Sequence, residues 1–133
     1  MHAQLHNELK LATLMLHPSR LESCPMGIAE AMAMGLPVVG GKNSGGVAWM
    51  IDAGGLTVDI NKPEEMAEAS LRLILNDDFY LQCSKAAVKR VQQFSPEVII
   101  NQYQTLYQKS IDAFKGKNSE AILKSTFVKR GQT

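Results

Sequence analysis

A chain of 133 residues, 45% hydrophobic and 20% charged, has the composition of an ordinary soluble domain and the length for one hydrophobic core. Its formal net charge of +1 provides no field that would make nucleic acid or an anionic membrane the main partner. Cys24 and Cys83 are too few and too far apart for a disulfide framework or a metal-ligand pair, and they read as free thiols of a reducing, cytoplasmic compartment.

The opening "MHAQLHNELK" is made of helix formers and lacks the apolar centre of a signal peptide, and no run along the chain has the length of a membrane span. "ATLML" over 12–16 is a short apolar run stopped by Pro18, which predicts a buried strand and then a loop. Residues 25–34 are rich in Ala and Met, with proline at the start and Gly35 just past the end, the punctuation of a helix. "PVVGG" predicts a second buried strand, 43–46 a polar glycine-rich turn, "VAWMIDAGG" a short helix and "LTVDI" a third strand.

Asn61 is placed to cap the next helix, with Glu64 three residues on. Met66, Ala67, Ser70, Leu71 and Ile74 recur at helical spacing over 63–75. A further helix is expected over 78–93. Ser95 and Pro96 then start a long one, with Ile99, Tyr103, Leu106 and Tyr107 on one side as packing residues. Beyond Phe114 the sequence turns polar and basic, which divides the chain into a domain over 1–114 and a loosely held tail over 115–133.

Strands alternating with helices give an α/β class with a parallel Rossmann-like sheet and helices on both faces. Three short strands are fewer than such a sheet usually has, so the chain reads as part of a domain. In open parallel sheets ligands bind beyond the carboxyl ends of the strands. Glu22 falls in the first such loop, and Glu30 falls about one and a half turns into the following helix. A carboxylate among Ile28, Ala29, Ala31 and Met32 is costly to bury without a hydrogen-bond donor, and a sugar or ribose diol would supply two. On this evidence alone Glu30 reads equally as an exposed helix former. Gly45-Gly46 likewise reads as a plain turn or as a phosphate cradle. His6 and His17 have no partners at metal-ligand spacing, so no metal is expected. His17, at the end of the first strand, is placed to touch the cleft.

The run from His17 to Ile111 resembles the C-terminal donor-binding domain of retaining, nucleotide-sugar-dependent glycosyltransferases of the GT-B fold, the large group called glycosyltransferase group 1. The resemblance rests on the E-x7-E pair Glu22 and Glu30, followed by "EAMAMGLPVV" and Gly45-Gly46. It implies that Glu22 approaches the transferred sugar as the catalytic glutamate and that Glu30 holds the nucleotide ribose. It also implies that the loop over 23–27 meets the sugar or diphosphate. Ser23, Cys24, Met26 and Gly27 are thus donor-binding candidates beside Glu30. The donor is expected to be a UDP- or GDP-sugar used as a substrate, with no cofactor.

The chain departs from the family pattern in reading Glu22-Ser23-Cys24-Pro25, since Pro25 donates no amide hydrogen bond and leaves that task to Met26 and Gly27. Trp49 and its neighbours stand where the family often has an acidic residue. Arg20 does not match the family's basic residue for the diphosphate and reads as loop surface. The first domain of the fold, with the acceptor site, is missing from this sequence. The chain is therefore expected to be an inactive fragment that partners an N-terminal domain. Its acceptor would be a saccharide or lipid-linked glycan, which admits a peripheral place on the inner face of a membrane. The alternative is a non-catalytic half-domain that binds a nucleotide or a partner.

Overall fold

The computed structural model describes residues 2–116. The chain falls into two units divided between Phe94 and Ser95.

The first unit opens with α1 (His2–Leu11), followed by β1 (Met15–His17), α2 (Met26–Ala33), β2 (Val38–Gly41), α3 (Gly46–Ile51) and β3 (Gly55–Val58). Two further helices close it, α4 (Pro63–Ile74) and α5 (Asp77–Gln92). The strands form one parallel sheet in the order β1-β2-β3, with Met15 opposite Val38 and Val38 opposite Gly55. β2 is buried along its whole length, as expected of a central parallel strand covered on both faces. Its alternation assigns the two layers, because successive side chains point to opposite faces. Val38 joins Ile28 and Met32 of α2, Val47, Met50 and Ile51 of α3 and Ala87 of α5. Val39 joins Val58, Ala69 and Leu73 of α4 and Cys83 of α5. Helices on both faces of a three-stranded parallel sheet are the α/β arrangement expected from the alternation of elements.

Three local expectations are corrected. β1 begins at Met15, not at residue 12, because its ladder starts only where the Met15 N–H reaches the Pro37 carbonyl at 2.9 Å. Before it, Ala12 closes a turn onto Leu9, and the Thr13 carbonyl accepts the Tyr80 hydroxyl. Asn61 does not cap α4. Its backbone N–H and its side-chain amide both donate to Asp59 Oδ1 at 3.1 Å, and Lys62 occupies the cap position without its side chain capping a backbone N–H. Glu65, not Glu64, reaches back from the first turn, accepting the Asp59 N–H at 3.0 Å through Oε2. α5 starts one residue earlier than expected, at Asp77, where the Asn76 side chain accepts the Phe79 N–H at 2.9 Å.

In the second unit α6 (Pro96–Gly116) begins where Ser95 Oγ accepts the Val98 N–H at 3.4 Å. The rings of Tyr103 and Tyr107 pack on one another along it at 6.0 Å. Residues 115 and 116 of the expected tail are helical, and the remainder of that tail lies outside the described residues.

Candidate functional site

The carboxyl end of β1 leads into the loop that carries Glu22, and the loop leads into α2, which carries Glu30. Both glutamates are half-buried, as are Gly27 and the end of β1 at His17, while Ser23, Cys24 and Met26 are exposed. Pro25 is buried and stands at the helix cap with φ −76° and ψ 85°.

Glu22 is held by its backbone. It forms an isolated parallel bridge to Gly45, and its carbonyl accepts the Gly46 N–H at 2.8 Å. The glycine pair is what allows this. Gly45 has φ +63°, and a Cβ there would overlap the Glu22 carbonyl oxygen, while a Cβ on Gly46 would overlap that of Ser23. Gly45-Gly46 is therefore not a free turn, since the Gly46 N–H is taken by the Glu22 carbonyl. It is the surface on which the Glu22 loop rests, a long-range contact that spacing alone does not reveal.

The Glu22 carboxylate has one protein neighbour. His17 Nε2 lies 3.3 Å from Glu22 Oε1, an ion pair when the imidazole is protonated. Close as the two groups are, Nε2, itself buried, has no hydrogen-bond partner among the described residues. A buried polar nitrogen in that state costs about 1–3 kcal/mol. Sequence reading placed His17 at the cleft but missed this pairing, because the four residues between the two form a loop with no periodicity.

The N-terminus of α2 is open. No side chain caps it, and the first backbone bonds back to the cap are those of Ile28 and Ala29 to the Pro25 carbonyl. The N–H groups of Met26 and Gly27 have no acceptor among the described residues, as the first turn of a helix leaves them unless something outside the helix supplies one. A Cβ built on Gly27 would meet only Met15 Cε at 3.6 Å, so packing does not demand glycine there. Glu30, one turn further on, has neither a hydrogen bond nor an ion pair among the described residues. The helix around it is apolar, with Ile28, Ala31 and Met32 buried. Among the described residues there is also no group of three or more His, Cys, Asp or Glu side chains arranged to hold a metal ion, and no helix long and apolar enough to cross a membrane.

Trp49 departs from the acidic residue anticipated near it and is half-exposed on α3. Its ring stacks under the Arg90 guanidinium at 4.8 Å and meets Phe94 at 5.1 Å, while Arg90 Nη2 donates to the Trp49 carbonyl at 2.6 Å. These contacts tie α3 to the end of α5, so Trp49 has a structural account that needs no ligand. Arg20, exposed as expected, lines a small cavity beyond β2 and β3.

Comparison with known proteins finds that residues 1–90 match the family described as Glycosyl transferases group 1. The chain is 35% identical over 101 residues to a D-inositol 3-phosphate glycosyltransferase of Nocardioides sp., covering 74% of this chain and 22% of that protein. It is 30% identical over 102 residues to an N-acetyl-alpha-D-glucosaminyl L-malate synthase of Bacillus anthracis, covering 74% of this chain and 26% of that protein. The solved structure of a sucrose-phosphate synthase from Thermosynechococcus elongatus superposes with a TM-score of 0.72 at 28% identity, over 84% of this chain and 29% of the other. The chain thus spans about a quarter of the length of these relatives.

Proposed function

The chain belongs to the glycosyl transferases group 1 family, and from that premise we propose that the β1–α2 loop and the first turn of α2 form the donor half-site of a retaining nucleotide-sugar glycosyltransferase. The observation that carries this reading is the uncapped start of α2, with two unpartnered amides between two half-buried glutamates. A nucleoside diphosphate answers each part. Its phosphates take the Met26 and Gly27 amides and the positive end of the helix dipole. Its ribose diol donates to Glu30, while the transferred hexose-type sugar lies toward Glu22 and past Ser23 and Cys24.

The chemistry favours such a site. As the glycosidic bond breaks, the sugar takes on oxocarbenium character and negative charge builds on the departing diphosphate. Amides fixed at the start of α2 therefore bind the transition state more strongly than the ground state. Retention requires the acceptor to approach on the face that the diphosphate leaves. The acceptor, a saccharide or lipid-linked glycan, would be held by an N-terminal domain, and this segment alone would not turn over. The names of the relatives support assigning the shared segment to the donor, since they include acceptors as unlike as L-malate and D-inositol 3-phosphate.

The test is a thermal-shift titration of the chain with UDP, GDP and ADP and their sugar nucleotides. A ligand at about 100 times its Kd adds ~2.7 kcal/mol of stability. The expected result is a shift selective for one diphosphate, lost in Glu30→Ala and kept in Glu22→Gln. A folded chain that no diphosphate stabilises would overturn the half-site and favour an interaction module that does no chemistry.

A further inference from the structure

Away from the Glu22 loop's contact with Gly45 and Gly46, the loops after all three strands converge on a second concavity. Arg20 comes from the loop after β1, Lys42 and Ser44 from the loop after β2, and Asp59 and Asn61 from the loop after β3. They line a cavity of about 140 Å³, well below the ~300 Å³ at which pockets for drug-sized ligands begin. A whole sugar nucleotide does not fit, whereas a phosphate and its attached carbons do.

The lining is poorly matched within the protein. Arg20 has no ion-pair partner among the described residues. Lys42 Nζ lies 3.9 Å from Glu65 Oε2, an oxygen already engaged by the Asp59 N–H, while Glu65 Oε1 is taken by Lys62 Nζ at 2.9 Å. Ser44, only 1% exposed, sets its side chain into the floor of the same loop cluster. Asp59 Oδ1 receives both donors of Asn61, which leaves Oδ2 without a donor among the described residues. Two cationic residues, a buried serine and an aspartate with one carboxylate oxygen unengaged among the described residues thus line one small space.

We propose that this cavity binds a phosphate ester, with the phosphate held between the Arg20 guanidinium and the Lys42 ammonium and a hydroxyl of the same ligand donating to Asp59 Oδ2. The guanidinium fork suits phosphate oxygens, and the ammonium adds a point charge. Asp59 provides the selection. It repels a bare anion but accepts a hydroxyl, so a phosphorylated sugar or polyol is preferred over inorganic phosphate. The cavity stands on residues other than the donor candidates, and the inference does not depend on the donor half-site.

Amide chemical-shift titrations of the whole chain at constant ionic strength test it, with a hexose 6-phosphate, the unphosphorylated hexose and inorganic phosphate as probes. The hexose 6-phosphate is expected to move the amides of residues 42–44 and 59–61 in a saturable way, with the hexose inert. The double variant Arg20→Gln/Lys42→Gln, its spectrum still dispersed, should lose at least about ten-fold in affinity, equivalent to about 1.4 kcal/mol. Asp59→Asn should weaken the hexose 6-phosphate and strengthen inorganic phosphate. Shifts confined to Met26 and Gly27 would overturn the site while supporting the donor loop, and no saturable shift, equal binding of the plain hexose or an unaffected double variant would also overturn it.

Discussion

At the residue scale, Gly27 separates packing from ligand approach. It stands at the second position of α2 with room for a methyl group, the nearest atom to a built Cβ being Met15 Cε at 3.6 Å. Gly27→Ala should therefore stabilise the fold by about 0.4–1 kcal/mol, by restricting the unfolded chain. The same methyl stands beside one of the two unpartnered amides, so diphosphate affinity should fall. Chemical denaturation and the thermal-shift titration, run on one variant, check both signs. A variant that gains stability and binds unchanged would remove the Gly27 amide from the half-site. Glu22 and Glu30 were legible in sequence as a spaced pair, and the structure brings their carriers, loop and helix, to one edge of the sheet. The His17 contact and the seat on Gly45-Gly46 were not legible, since both depend on where the chain returns in space.

At the element scale, the junction of β3 and α4 is held by carboxylates. The backbone N–H of Asn61, then its side-chain amide, holds the Asp59 carboxyl below its usual range. The backbone N–H of Asp59, then Lys62, does the same for Glu65. Both groups are at the surface. A lowered pKa in the folded state means that the stabilisation is present above the unfolded values of 3.8 and 4.5 and is lost as the pH falls through the lower folded values. Urea midpoints should accordingly drop on acidification below about pH 4.5, and the gap between wild type and Glu65→Gln should close there. A gap that stays constant down to about pH 2 would show that Glu65 acts through packing alone. This junction also shows why caps are hard to read. Asn61 followed by Glu64 has the spacing of a capping box, but Asp59 offers both donors of Asn61 a nearer acceptor, and the cap falls one residue later, at Lys62, with Glu65 reaching back. α2 was read almost to the residue because proline and glycine bound it chemically. β1 was misplaced because its apolar residues extend past the stretch that has a partner strand.

At the scale of the whole molecule, the sheet is asymmetric. β2 is covered on both faces and paired on both sides, whereas β1 is paired on one side only among the described residues. Opening free energies should follow that order, so amide hydrogen exchange is expected to be slowest within β2 and faster in β1. Protection of β1 equal to that of β2 would mean that its outer edge is covered in solution, and dilution would tell whether a second copy covers it. The bridge between Glu22 and Gly45 carries a different consequence. The two halves of that contact lie on separate loops, one before α2 and one before α3, and the intervening strand fixes how far apart they can sit. A single residue inserted between Gly41 and Gly45 would leave the core side chains of β2 and α3 able to pack, yet would slide the glycine pair out from beneath Glu22. Loop length on that side of the sheet is therefore tied to the backbone position of Glu22.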